Sequence, residues 1–210
     1  LKVRKNLVPT SKYSIKCPYS MKPEYITVHN TANDASAENE IAYMVGNNNE
    51  VSYHYAIDDK EIVQGLPLDR NGWHAGDSGN GPGNRKSIGI EICYSKSGGE
   101  KYKKAEALAV KFIAQLLKER GWGIERVKKH QDWSGKYCPH RILNEGRWNS
   151  FLNAIKTELD KLNMPKESIT KNKNEYVVKK GDTLWGISQI HNMSVEELKK
   201  LNGLKSDLIH

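Results

Sequence analysis

The stretch KYKKAEALAVKFIAQLLKER, residues 101–120, keeps Ala105, Leu108, Ala109, Phe112, Ile113, Leu116 and Leu117 on one helical period. Gly121 follows where a helix would stop. Just before it, SIGIEIC alternates Ile88, Ile90 and Ile92 on one face of a predicted strand, with Glu91 on the other between Gly89 and Cys93. The same alternation of element types recurs along the chain. EYITVHNTAND reads as a buried strand entering a polar loop, with Ile26 and Val28 on one face and Tyr25, Thr27 and His29 on the other. A helix capped near Asp34 or Ser36 would turn Ile41, Met44 and Val45 inward. VSYHYAID and EIVQG predict a hairpin around Asp58 and Asp59. IERVKKH predicts a further strand ending at His130, and residues 145–162 a last helix with Trp148, Leu152, Ile155 and Leu159 on its stripe. Strands alternating with helices predict an α/β fold, a central sheet covered by helices.

Residues 163–175, polar and without period, read as a linker, so the chain divides into a unit over 1–162 and a second over 176–210. The second begins with a predicted strand, then a Gly-Asp turn and two helices carrying Leu184 and Ile187, and Val195, Leu198 and Leu201. At this size a unit seldom folds without further support.

Composition narrows the function classes. No run approaches the roughly 18 apolar residues of a membrane span, so membrane insertion is not expected. The first thirty residues hold no apolar stretch of the length a secretion signal needs. The expectation is synthesis in the cytoplasm and action after release, with secretion as the alternative. The net charge of +8 suits polyanionic partners: nucleic acid, an anionic membrane or a phosphate-rich bacterial wall. Lys2, Arg4, Lys5, Lys12 and Lys16 precede any acidic residue. Nucleic acid is disfavoured because no groove-reading helix or stacking motif is present. Cys17, Cys93 and Cys138 are an odd number and far apart, which argues against a disulfide framework.

The chemistry concentrates in two glycine- or proline-bearing stretches. NGWHAGDSGNGPGNRK, residues 71–86, reads as a long irregular loop, and loops of that length are more often functional than not. KKHQDWSGKYCPHR, residues 128–141, also reads as a loop and puts His130 and Cys138 eight positions apart. Imidazole and thiolate are zinc ligands, and a catalytic zinc keeps one position open. A third ligand must come from elsewhere, and His29, at a strand end, is the natural candidate. Ordinary polar loop residues would fit the same spacing. Glu91 in an isoleucine-rich strand costs several kcal/mol unless supported. It fits a proton acceptor beside a metal-bound water, or equally an ion-paired carboxylate on a solvent face. Lys136 could face a developing negative charge, or simply solvent.

The pieces ITVHNTA, SYHYAID, WHAG, NRKSIGIEI and HQDWSGKYCPHR, in this order and spacing, resemble the type 2 zinc-dependent N-acetylmuramoyl-L-alanine amidases. That family includes phage lytic amidases and peptidoglycan recognition proteins, and the match is especially close to amidases of Bacillus prophages and their hosts. Any one piece is weak; the five together are specific, and they cover most of residues 5–160. The resemblance implies a central mixed sheet and Zn2+ held by His29, His130 and Cys138. It further implies Glu91 as general base, with Lys136 and Tyr53 at the transition state and His74 near the substrate groove. His54 should face away from the metal, and His140 should support the loop. Relatives that recognise wall fragments without cutting them typically lack the cysteine ligand, so Cys138 favours an enzyme.

YVVKKGDTLWGIS followed by LNGL resembles a LysM module, a strand, two helices and a strand that bind N-acetylglucosamine-containing glycans. Gly181, Asp182, Thr183 and Leu184 match its first groove loop, and the second loop is expected near residues 207–210. The second strand is missing from the sequence as read, so the module is expected to be an incomplete βαα(β) unit that continues in the natural protein. The implied partner is peptidoglycan, as muropeptide at the first unit and glycan at the second, bound by a monomer.

Overall fold

The computed structural model describes residues 1–163, 176–191 and 193–207. The linker expected over 163–175 falls, apart from residue 163, outside the described residues, as do residues 208–210 of the expected second groove loop. The chain forms two units, Leu1–Met164 and Pro165–His210.

In the first unit β1 (Arg4–Lys5) leads through α1 (Tyr13–Lys16) to β2 (Tyr25–Asn30) and α2 (Ala37–Gly46). The hairpin of β3 (Tyr55–Ile57) and β4 (Ile62–Gln64) follows, then α3 (Pro82–Lys86), β5 (Ser87–Ile92) and the long α4 (Gly99–Arg120). The unit closes with β6 (Val127–Lys129), the short α5 (Gln131–Ser134) and α6 (His140–Asn144), and α7 (Trp148–Asn163). The six strands form one mixed sheet in the order β1-β4-β3-β5-β2-β6. β2 runs parallel to both β5 and β6, β3 runs parallel to β5, and the hairpin pair is antiparallel. This is the α/β fold with a helix-covered sheet that the alternation of elements predicts, and the sheet is mixed, as the resemblance implies.

Burial explains why the central strands read as apolar. Ile26, Val28, Ile88, Ile90 and Ile92 are fully buried, as parallel strands covered on both faces must be. Phe112 of α4 packs edge-on against Tyr55, whose sheet neighbour is Ile90, so the isoleucine face lies under α4. α7 in turn packs on α4. His29 and Glu91, alternating with those isoleucines, therefore point to the opposite face. Ser36 caps α2 by accepting from the Asn39 N–H, and Ile41 and Met44 are buried as expected, with Val45 partly so. The Asp58 carboxylate closes the hairpin turn by accepting from the Lys60 and Glu61 N–H groups.

Several boundaries differ from expectation. α7 starts at Trp148 rather than 145, after Gly146 with φ +64°, and Phe151 joins its buried stripe one turn before Ile155. The 71–86 stretch contains α3. The 128–141 stretch is not a plain loop: its glycine ends α5 in the left-handed region and its proline opens α6. At the amino end, two of the lysines counted in the charge excess are structural. Lys16 is fully buried and donates to Asn47 Oδ1 and the Val51 carbonyl, while Lys12 donates to the Val45, Gly46 and Asn47 carbonyls. Together they pin the end of α2 and the segment that follows it.

The second unit has α8 (Leu184–Ile190) and α9 (Val195–Asn202). Thr183 caps the first through the Gly186 N–H, and Ser194 with Glu197 forms a capping box on the second. The strand expected from Tyr176 is not formed: residues 176–179 have no strand pairing, and Val177 is 80% exposed. A strand needs a neighbour to take its hydrogen bonds, and the described residues of this unit offer none. Among the described residues no helix is long and apolar enough to cross a membrane.

Candidate metal centre

Three parallel strands deliver the site. In the β2–β5 ladder His29 lies directly beside Glu91, and β6 runs alongside β2 so that His130 emerges next to them. Ligand sites in such sheets gather at the carboxyl ends of strands. Cys138 arrives from the segment between α5 and α6, which is anchored to the end of β2 because Asn30 Oδ1 accepts from the Arg141 N–H.

His29, His130 and Cys138 are 2%, 5% and 6% exposed, and one ligand atom from each lies within 4.8 Å of the others. His130 Nδ1 is 3.0 Å from His29 Nδ1, and Cys138 Sγ is 3.8 Å from that same nitrogen. Bond lengths of about 2.0–2.3 Å to nitrogen and sulfur put tetrahedral zinc ligands about 3.3–3.8 Å apart, so small adjustments would seat one ion among these atoms. The electrostatics suit a cation. Burial, then the charges of His74, His130 and Lys136, hold His29 well below the ordinary histidine range, and burial takes His130 down to about 4. Burial, helped by Glu91, pushes the Cys138 thiol up to about 12, against the backbone N–H groups of Asn30 and His140 and the charge of Lys136. Two buried imidazoles and a buried thiol whose ligand atoms converge are a metal-binding donor set.

Glu91 has its Oε2 buried without a hydrogen-bond partner, so the alternative of an ion-paired surface carboxylate does not hold. It lines a cavity of about 280 Å³ with Thr31, Glu40, Met44, Asn47 and Tyr53. Burial, reinforced by the charge of Glu40 and opposed by Lys136, raises its pKa to about 8. Lys136 is exposed, yet its charge bears on His29, His130, Cys138 and Glu91 alike, which puts it at the mouth of the site. The Tyr53 hydroxyl lies 3.1 Å from both Oε2 and the carbonyl oxygen of Glu40, so it is engaged with α2 rather than free in the cavity. Glu40 was not legible as a site residue. Its place beside Ile41 reads as the polar edge of a helix.

His74 requires a correction. It is 7% exposed and lies behind His29, with Nδ1 3.0 Å from His29 Nε2 and Nε2 3.2 Å from the Ser87 carbonyl. Both ring nitrogens are thus occupied, and it does not face a substrate groove. His54 is structural, but not by facing away from the metal: it lies opposite Gly89, on the same face of the sheet as His29 and Glu91 and against the His74 ring, where it accepts from the Gly89 N–H while its other nitrogen meets the Arg70 carbonyl.

Residues 19–141 match the family model described as N-acetylmuramoyl-L-alanine amidase. The chain belongs to this amidase family. Residues 176–210 match the LysM domain model. The chain is 64% identical over 201 residues to N-acetylmuramoyl-L-alanine amidase XlyB of Bacillus subtilis (strain 168), covering 95% of itself and 63% of that protein. To N-acetylmuramoyl-L-alanine amidase CwlA of the same organism it is 66% identical over 177 residues, covering 82% of itself and 65% of the relative. It therefore spans somewhat under two thirds of either. Among solved structures, PlyL superimposes with a TM-score of 0.72 at 62% identity, covering 74% of this chain and 98% of that one. The catalytic domain of XlyA gives 0.67 at 43% identity, covering 74% and 99%.

In the LysM unit of this amidase-family chain, Leu184 is 5% exposed, in the core with Ile187, and so is corrected from a glycan-contacting residue to a packing one. Asp182 accepts from the Tyr176 hydroxyl and the Lys179 N–H, and Thr183 is a helix cap, so both shape the loop. Trp185, 67% exposed beside them, drew no notice in the sequence.

The buried histidines give the amidase unit a pH signature. His54, His74 and His130 are lowered by burial to about 4, 3 and 4 from 6.5, and His29 is lowered as well. Below about pH 6.5 the unfolded chain binds protons that the folded chain refuses, so stability falls with falling pH by up to about 1.4 kcal/mol per unit for each histidine. Glu91, raised from 4.5 to about 8, acts with the opposite sign between those values, one group against four. Metal-free protein should show a Tm that drops steeply from pH 7 to pH 5. A flat Tm over that range would contradict the burial of neutral imidazoles.

Proposed function

We propose that this chain is a zinc-dependent peptidoglycan hydrolase that cleaves the amide between N-acetylmuramic acid and the L-alanine of the stem peptide. The observation that carries the reading is the buried convergence of His29, His130 and Cys138 beside Glu91, whose unpartnered oxygen accompanies a cavity at the strand ends. The activity named for XlyB and CwlA supplies the bond.

His29, His130 and Cys138 would hold the zinc, which supplies Lewis acidity to the scissile carbonyl and lowers the pKa of water towards about 7. Glu91 takes the proton of the attacking water. Burial keeps its proton affinity near neutrality, which suits a group that must accept a proton and then return it to the departing amine. Lys136 faces the negative charge that develops on the carbonyl oxygen. Tyr53, assigned to the same task by resemblance, has its hydroxyl on Glu40 and would first have to leave it. Lys136→Ala should therefore cost about 10²–10³ in kcat with zinc content unchanged. A loss confined to KM would instead make Lys136 a substrate-binding residue.

The reading extends to the whole chain as residues 1–162 for catalysis, 163–175 as linker and 176–210 for holding glycan strands rich in N-acetylglucosamine. The protein would work as a monomer on the cell wall, as an endolysin does. Its direct test is lysis of Gram-positive walls before and after chelation. Loss of clearing on chelation and its return with zinc supports the reading; clearing that survives stoichiometric metal removal sinks it.

A further inference from the structure

We propose that His74 is a positioning residue for the metal: it holds His29 in the tautomer whose Nδ1 is a bare lone pair, and Gly89 makes room for it. The inference rests on the zinc reading above and adds to it a residue and a reason.

The direction of the hydrogen bonds decides the tautomer. The Ser87 carbonyl can only accept, so His74 Nε2, 3.2 Å away, carries a proton. His74 is buried against His29 and His54, and among the described residues no carboxylate hydrogen-bonds its ring. It is therefore neutral, and its Nδ1 is a lone pair. His29 Nε2, 3.0 Å from that lone pair, must donate to it. A neutral His29 that carries its proton on Nε2 has none on Nδ1, the nitrogen that faces His130 and Cys138. A metal-ligating histidine needs this arrangement, with the second nitrogen's partner fixing both tautomer and ring plane.

The backbone holds His74 for the purpose. Asn84 Oδ1 accepts from the N–H groups of both His74 and Ala75. Across the ladder Gly89 is the neighbour of Thr27, two residues before His29. A Cβ on Gly89 would fall 2.7–2.9 Å from atoms of the His74 ring, closer than such contacts occur. The glycine in SIGIEI is thus the floor on which His74 lies to reach His29.

The first experiment uses the metal-free wild-type chain: nitrogen-15 NMR of the imidazoles should show His29 protonated on Nε2. Protonation on Nδ1 would overturn the proposal whatever the chain's activity. The second measures zinc affinity by chelator competition. His74→Leu should bind about 10–100-fold more weakly, and Gly89→Ala should weaken in the same direction. His74→Gln should recover most of the loss, because its amide oxygen can accept from His29 while its amide nitrogen donates to Ser87. Wild-type affinity in a folded His74→Leu, or a folded His74→Gln no better than it, would also overturn the proposal. A wild-type chain that shows the Nε2–H tautomer but binds no zinc would sink the functional reading and leave the tautomer assignment standing.

Discussion

Glu91→Ala should hold zinc at the wild-type stoichiometry while losing about 10²–10⁴-fold of its turnover. The two halves of that expectation have separate causes. Glu91 stands beside His29 in the sheet but is not among the three groups whose ligand atoms converge, so the metal keeps its donors. Its Oε2 has no hydrogen-bond partner, so the carboxylate is not part of a bonded scaffold either. Removing a buried carboxylate that lacks a partner relieves a desolvation cost. The Tm of the variant should consequently match or exceed that of the wild type, which sets it apart from a substitution that merely disrupts the fold. Undiminished turnover in a zinc-loaded Glu91→Ala would remove Glu91 from the mechanism.

Cys138→Ser should have the opposite profile, with metal lost first and activity following. Serine keeps the size of the side chain and the backbone contacts of the segment but offers a neutral hydroxyl in place of a thiolate. Cys138 is the single donor of the three that can bring a full negative charge to the ion. Its loss should weaken zinc binding by more than the about 10–100-fold typical of an outer partner. Chelator competition with the metal-loaded chain measures this directly. Full occupancy of Cys138→Ser at the free zinc that just saturates the wild type would show that the ligand set is wrong.

The sequence made the scaffold legible where one face of an element is buried and its period is clean. The isoleucines of β5 and the stripe of α4 are such cases, and both lie where periodicity puts them. Residues 128–141 read as a loop although glycine and proline there mark the ends of helices, because those helices are too short to show a period. The predicted strand at Tyr176 is not formed for a different reason: apolar β-branched residues do not make a strand without a neighbour to bond, and the described residues of the unit supply none. At the site, His29, His130 and Cys138 could be named from residue type and the family resemblance, but the adjacency of His29 and Glu91 is a property of strand register. The contact of His74 with His29, and the place of Glu40 at the site, were beyond reach for the same reason. Each touches a residue on another element, His74 meeting His29 and Glu40 meeting Tyr53, and no local pattern encodes such a pairing. The buried Lys16 shows the converse: a residue counted only as charge clamps Asn47, which lines the cavity.

The most direct test of the central claim is product analysis on purified Gram-positive peptidoglycan, with and without a zinc chelator. The account predicts new alanine amino termini without new reducing sugar, abolished by chelation and restored by zinc. Tight binding to the wall with no new amino termini would contradict it, and would mean that this fold serves recognition and that Glu91 and Lys136 are structural.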